Sequence, residues 1–379
     1  MAGRVVVIHP FVQAYRAGLY RALADRLADE GRELVVVWNT QSPRLAARGD
    51  SIEAPWTRKV TVRWVSVGSR ELVCRRLGGL TLDADDLVIV EQAVKNLETF
   101  PLLLSARRGG SRVAMWGHGR SYSVPQPAPL AALKQWLTRR SDWFFAYTDS
   151  GARHVVSNGF PASRVTVLNN TIDTAALEAD LKAVADVDAY RLRHGLTAGR
   201  TALFLGGVDK NKGIDFLLKS AQIATDAMPD FTLLVGGAGD ELPKVEQLER
   251  SGGPVRALGR VEGAAKARAL AACDLLVIPE WIGLVAVDSL VAGRPIVSTD
   301  HHSHSPEHEY LKNGVTAVFT DHDEVAYAHG ITGLLQDRER LHAMQRACSH
   351  ASADYSLAAT VDAFMEGIRS WQAATRRNG

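Results

Sequence analysis

Cysteine is scarce in this chain. Cys74, Cys273 and Cys348 are odd in number and far apart, so no disulfide framework is implied and a reducing cytoplasm is the expected compartment. Long apolar runs are missing too. No stretch of about 18 uncharged apolar residues occurs, which leaves no candidate membrane-spanning helix. The opening "MAGRVVVIHPF" holds too short an apolar run for a secretory signal. Neither a Gly-x-Ser-x-Gly elbow nor a Cys-x-x-Cys pair is present, so the sequence offers no signature of serine-hydrolase or dithiol chemistry. Internal repeats and low-complexity tracts are absent as well.

A length of 379 residues exceeds one ordinary core and fits two domains of usual size. Hydrophobic residues at 46% against 23% charged ones describe a soluble globular protein. The net charge of +2 hides an uneven distribution. Residues 1–170 hold 23 Lys and Arg against 14 Asp and Glu, a net of +9, and the remainder holds 21 against 28, a net of −7. Either an uneven solvated surface or a basic half that meets an anionic substrate or lipid headgroup gives this pattern.

The first half alternates short β-branched runs with longer amphipathic segments. "RVVVI" (4–8), "LVVVW" (34–38), "VRWVSV" (62–67), "DLVIV" (86–90), "RVAMW" (112–116), "WFFAY" (143–147) and "RVTVL" (164–168) read as strands. Helices are expected over about 15–30, 94–107, 128–140 and 149–158. Strand alternating with helix predicts a parallel sheet covered on both faces. Residues 174–197 read as a helical connection, after which the alternation restarts. "TALFLGG" (201–207), "FTLLVGG" (231–237), "PVRALG" (254–259), "DLLVIP" (274–279) and "RPIVST" (294–299) are strands, with helices near 213–227, 240–250 and 263–272. The expected result is an α/β protein of two doubly wound domains, each binding at the carboxyl ends of its strands. The last segment, "YSLAATVDAFMEGIRSW" (355–371), reads as an amphipathic helix that crosses back to the first domain.

One buried-looking stretch, "PEWIGLVAVDSLVAGRPIV" (279–297), carries two carboxylates, Glu280 and Asp288, with Gly283 between them. Glu280 falls on the loop after a strand. A helix is expected to begin near Gly283–Leu284, leaving the N–H groups of Gly283, Leu284 and Val285 aimed at the carboxyl edge, where a phosphate fits. The two acids then suit sugar hydroxyls on either side of it. "FLGGVDKNKGIDFLLKSA" (204–221) adds Gly206, Gly207 and a Lys212-Gly213 helix start, and "LVGGAGDE" (234–241) adds Gly237 at a third strand end. At such points bare backbone approaches a ligand closely.

In these segments the sequence resembles the family-4 retaining glycosyltransferases of the GT-B fold. Glu280 and Asp288 match that family's Glu-x7-Glu motif, "DSLVAGRPIV" (288–297) resembles its continuation, "NNTID" (169–173) its N-domain end, and "MWGHG" (115–119) its strand end with a histidine, His118. The resemblance implies two Rossmann-like domains facing a central cleft. Their expected spans are 1–173 for the acceptor side, 174–197 for a linker, 198–354 for the nucleotide-sugar domain and 355–379 for the returning helix. It also implies roles. Lys212 binds the donor pyrophosphate, Glu280 the transferred sugar, Asp288 the ribose, and His118 the sugar from the opposite domain. Gly207 stands where the family carries arginine, and Arg16, after the first strand, is expected to supply that charge to the donor. No cofactor or metal is expected, the co-substrate being a nucleoside-diphosphate sugar with UDP preferred.

The implied activity is hexosyl transfer with retention to a sugar, lipid-linked or small-molecule acceptor, with possible peripheral contact with an anionic membrane and no nucleic acid. A nucleotide-sugar 2-epimerase, or a non-catalytic nucleotide-sugar-binding protein, would share the architecture. The His301, His302, His304 and His308 group with Glu307 and Glu309 does not match closed zinc spacing or a His-Glu-x-x-His helix, and is expected to be a donor-site loop. The stripe Leu130, Leu133 and Leu137, flanked by Lys134, Arg139 and Arg140, is either a packed helix with snorkelling bases or a lipid-facing surface.

Overall fold

The valine-rich runs become strands buried on both faces. The computed structural model describes residues 3–9, 14–39, 53–68, 70–77, 79–120, 127–301 and 304–376. They divide into two compact units, one of residues 1–173 with 357–379 and one of residues 174–356.

The first unit runs β1 (Val5–Ile8), α1 (Ala17–Asp29), β2 (Leu34–Trp38), β3 (Thr57–Lys59), β4 (Thr61–Val67), β5 (Arg70–Arg76), β6 (Leu87–Glu91), α2 (Thr99–Ala106), β7 (Arg112–Gly117), α3 (Ala128–Thr138), β8 (Trp143–Ala146), α4 (Asp149–Ser157) and β9 (Val165–Val167). Its parallel sheet has the order β3-β2-β1-β6-β7-β8-β9 among the described residues. The strand read at 62–67 does not join it. β4 pairs antiparallel with β5, a strand rich in charge, as a separate two-stranded sheet. A buried ion pair between Arg75 and Glu98 ties that hairpin to the start of α2. The helix expected from 94 begins only at Thr99.

Alternation along β1 divides the core. Val5 and Val7 join one cluster with Leu23 and Leu27, and Val6 and Ile8 join another with Leu103, Leu137 and Val155.

The second unit runs α5 (Thr174–Lys182), α6 (Val187–His194), β10 (Thr201–Leu205), α7 (Ile214–Ala227), β11 (Thr232–Gly236), α8 (Leu242–Arg250), β12 (Val255–Gly259), α9 (Gly263–Ala272), β13 (Leu275–Val277), α10 (Val285–Ala292), β14 (Ile296–Thr299), β15 (Ala317–Thr320), α11 (Glu324–Gln336) and α12 (Arg338–Ala351). The connection read over 174–197 is thus two helices, and both pack on α9. The final helix, α13 (Leu357–Arg376), belongs to the first unit. There Phe364, Met365, Ile368 and Trp371 are fully buried, each contributing about 1.5–3 kcal/mol of burial.

The second sheet is parallel with the order β12-β11-β10-β13-β14-β15. Chain order runs one way from β10 to β12 and then resumes on the other side at β13. The direction therefore reverses between β10 and β13, and the loops leaving those two strands flank the crevice where such sheets bind ligands.

Candidate functional site

At this switch point the loop after β10 meets the loop after β13. Lys212 closes a short 3-10 turn, Lys210–Lys212, and Gly213 follows at φ +64, a left-handed position that opens α7. Lys212 then reaches across, and its Nζ donates to the carbonyl oxygen of Trp281 at 2.6 Å. Trp281 itself has φ +54, a conformation that residues other than glycine adopt at a cost and that clusters at functional sites. Burial pulls the Lys212 ammonium down to about 8, with Asp209 opposing the shift.

Glu280 lies over the start of α7, so close that a Cβ on Gly213 would meet its carboxylate at 2.9 Å. On the neighbouring side the loops of β10 and β11 abut. A Cβ on Gly237 would collide with the carbonyl oxygen of Gly206, and Gly237 N–H donates to Gly259 at 2.7 Å. Gly206 in turn faces Lys212, whose Nζ would lie 4.0 Å from a side chain there. A Cβ on Gly207 would meet the Asp209 carboxylate at 2.6 Å. Lys212, Gly206, Gly207, Gly237 and Glu280 are therefore brought together around one strand edge.

Helix α10 starts at Val285 with Leu284 as its cap, a residue later than the sequence suggests. Its first backbone bonds run from Ala286 to Gly283 and from Val287 to Leu284, which leaves the N–H groups of Gly283, Leu284 and Val285 ahead of the ladder. A Cβ on Gly283 would meet nothing within 4 Å, so the backbone there is open to a ligand. Asp288 is buried, and Lys266 of α9 pairs with it at 2.7 Å. Sequence spacing gives no hint of this partner, nor of His322, whose Nε2–H donates to Glu280 Oε1 at 2.9 Å. His304 is buried and its imidazole is pushed to lower pKa by that burial, while His302 lies outside the described residues.

In the first unit Arg16 ends a 3-10 turn, Ala14–Arg16, before α1 rather than standing on the first turn of a helix face. It is 6% exposed. Its guanidinium donates to Tyr147 Oη at 2.7 Å and to Tyr15 Oη at 3.0 Å, and covers the Trp116 ring at 4.7 Å. The Tyr147 ring lies tilted against His118, centroids 4.3 Å apart, so Arg16 is linked to His118 through one tyrosine. His9, edge-on to Trp116 at 5.1 Å, is held down at about 3 by burial and by Arg16.

Comparison with known proteins meets this geometry at the second unit. The family model described as "Glycosyl transferases group 1" matches residues 199–337, which contain both switch-point loops. That stretch of the second unit is similar to group 1 glycosyl transferases. A phosphatidyl-myo-inositol mannosyltransferase of Mycolicibacterium smegmatis is 37% identical over 107 residues, 27% of this chain and 28% of that protein. A D-inositol 3-phosphate glycosyltransferase of Thermobispora bispora is 29% identical over 254 residues, 62% of this chain and 58% of that protein. The matches thus span between about a quarter and three fifths of these relatives' length. Among solved structures, Anabaena HepE in complex with UDP superposes with a TM-score of 0.67 at 16% identity, covering 97% of this chain and all of that one. The chain has the GT-B fold, and its likeness to group 1 glycosyl transferases lies in the second α/β unit.

Proposed function

We propose that this chain is a retaining glycosyltransferase that moves a hexose from a nucleoside-diphosphate sugar, preferably a UDP-sugar, to a hydroxyl of a glycan, glycolipid or small metabolite. The observation that carries this reading is the meeting of Lys212, the Gly206 turn and Glu280 at the switch point of the group 1 domain. A half-buried ammonium beside open backbone N–H groups suits a diphosphate that gains charge as its bond to sugar breaks. The UDP-glucose complex of Anabaena HepE supports a uridine nucleotide.

In this reading Lys212 and the helix start at Gly283, Leu284 and Val285 stabilise the departing phosphate. Gly206, Gly207 and Gly237 let the donor approach bare main chain, Glu280 receives hydroxyls of the transferred sugar and Asp288 those of the ribose. The bond from sugar C1 to the diphosphate oxygen breaks. A bond from C1 to the acceptor oxygen forms on the same face, and the acceptor proton passes to the departing phosphate. The step itself needs no metal. His118 is assigned to the transferred sugar and Arg16 to added positive charge.

The names of the two relatives, which cite phosphatidyl-myo-inositol and D-inositol 3-phosphate, and the basic first half support an anionic acceptor. Trp136 on α3 is 40% exposed with Arg140 over its ring at 3.5 Å, a pairing suited to peripheral contact with anionic lipid on a cytoplasmic face. No helix among the described residues is long and apolar enough to cross a membrane.

The deciding experiment screens UDP-, GDP- and dTDP-sugars by thermal shift, since a ligand bound by the native state raises Tm. Products are then read by mass and proton NMR. An α-linked product from an α-linked donor supports the reading; an isomerised donor means epimerase, binding without turnover means a non-catalytic protein, and a β-linked product sinks retention.

A further inference from the structure

Beside the Lys212 loop stands a second cluster with different chemistry. Glu280, His301 and His322 follow β13, β14 and β15, three adjacent strands of the second sheet. Each offers one ligating atom, and those atoms lie within 4.8 Å of one another. Packing holds all three in place. His322 donates to Glu280 at 2.9 Å, and Phe216 stacks on the His322 ring at 4.6 Å with an interplanar angle of 23°. His301 lies against His322, centroids 4.7 Å apart. Glu280 is backed by the start of α7 at Gly213. The His322 and Glu280 side chains remain 36% and 20% exposed, so a hydrated ion reaches them.

We propose that Glu280, His301 and His322 bind one divalent transition-metal ion, zinc by ligand type, and that this ion blocks the sugar subsite. Two imidazoles and a carboxylate are a ligand set that zinc and its neighbours accept, with positions left for water. The ion takes the place of the proton that His322 shares with Glu280. Nitrogen and oxygen ligands about 2.0–2.2 Å from a tetrahedral zinc stand roughly 3.3 Å apart. The 2.9 Å contact opens slightly, and the three ligating atoms, within 4.8 Å of one another, draw together on the ion. The blocking half rests on the proposed function. A Glu280 carboxylate bound to metal no longer accepts from sugar hydroxyls, so the ion acts as an inhibitor of a reaction that does not use it.

The test titrates the chelator-treated full chain with Zn2+ by calorimetry and with Co2+ by visible absorption. One equivalent is expected, with the d–d bands of a mixed nitrogen–oxygen site. His322→Gln and His301→Gln should each weaken binding at least about tenfold, the scale of loss when groups around a bound metal are removed. His308→Gln, in the separate His304–His308 stack, should leave Kd unchanged. Wild-type affinity in His322→Gln, or an equal loss in His308→Gln, overturns the site. Zinc should reduce the thermal stabilisation given by UDP-sugar in the wild type and not in His322→Gln; undiminished stabilisation of the zinc-loaded wild type overturns the blocking role. Failure of the metal-free protein to respond to any nucleotide sugar sinks the donor reading alone, because the metal titration is read independently of it.

Discussion

Lys212 Nζ donates to the main-chain carbonyl of Trp281 at 2.6 Å, joining two loops that lie 69 residues apart in sequence. The acceptor is uncharged and is presented by left-handed backbone at φ +54. The ammonium thus sits in a partly dry site with no carboxylate in hydrogen-bond contact among the described residues, which is why burial dominates its pKa.

Lys212 sheds its proton as pH rises through about 8 in the free protein. The ratio kcat/KM, which reports the free enzyme, is therefore expected to fall above that pH. Lys212→Arg should flatten the alkaline limb, and Lys212→Met should lower kcat about 100-fold, the scale of losing one charge-stabilising donor. Pre-steady-state product formation over a pH series measures both. An unchanged alkaline limb in Lys212→Arg means that another group controls it.

The Lys266–Asp288 pair supports a second expectation. Both side chains are largely covered, 25% and 12% exposed. Removing the lysine strands a buried carboxylate, at a cost of about 2 kcal/mol after allowing for the remaining solvent. Lys266→Ala should lower Tm by about 5 °C, and adding Asp288→Asn should restore part of it, a coupling that thermal melts of the double-mutant cycle resolve. Additive losses would show that the two side chains act separately.

Most parallel strands were legible because they are buried on both faces and read as continuous Val, Leu and Ile runs, whereas β15, Ala-Val-Phe-Thr and mostly half-buried, was not. β3, Thr-Arg-Lys, and β5, with Arg, Glu and two further Arg, lack that signature. The glycine turns, Lys212 and Glu280 stood out because each sits at a strand end where local sequence marks it. Lys266 against Asp288, 22 residues apart, and His322 against Glu280, 42 apart, are meetings made by sheet order. No local spacing encodes them.

Arg16 tests whether the first unit contributes charge. Arg16→Ala removes a buried guanidinium from Tyr147 and Trp116, so Tm should fall. The proposed role predicts in addition a kcat about 100-fold lower at saturating donor. Gly207→Arg, which must displace the exposed Asp209 carboxylate, should recover part of kcat without recovering Tm. A lowered Tm with near-native kcat would make Arg16 a packing residue only.

His9 predicts acid sensitivity. Its pKa falls from 6.5 to about 3 on folding, chiefly through burial, so the unfolded chain binds the extra proton between those values. The stability contributed by neutral His9 is present above 6.5 and is lost as pH falls toward 3. Melting curves should drop below pH 6.5 in the wild type and less steeply in His9→Gln. An equal slope in both would assign the effect elsewhere, for example to His304, whose burial acts in the same direction.

Helix α13 packs on α1, with Arg26 bound to Asp362 at 2.9 Å and Arg369 to Glu30 at 3.0 Å. The first unit therefore draws its core from both sides of residues 174–356. During synthesis at about 5–20 residues per second, the early sheet waits roughly 10–40 s for its covering helix. The later, contiguous unit has its whole sequence in hand before that helix emerges. Over that interval the part of the face not covered by α1, including the Phe145 side that Phe364 and Trp371 later cover, stays open to chaperones and to other nascent chains. A ribosome paused just after residue 356 would hold the first unit without its last helix.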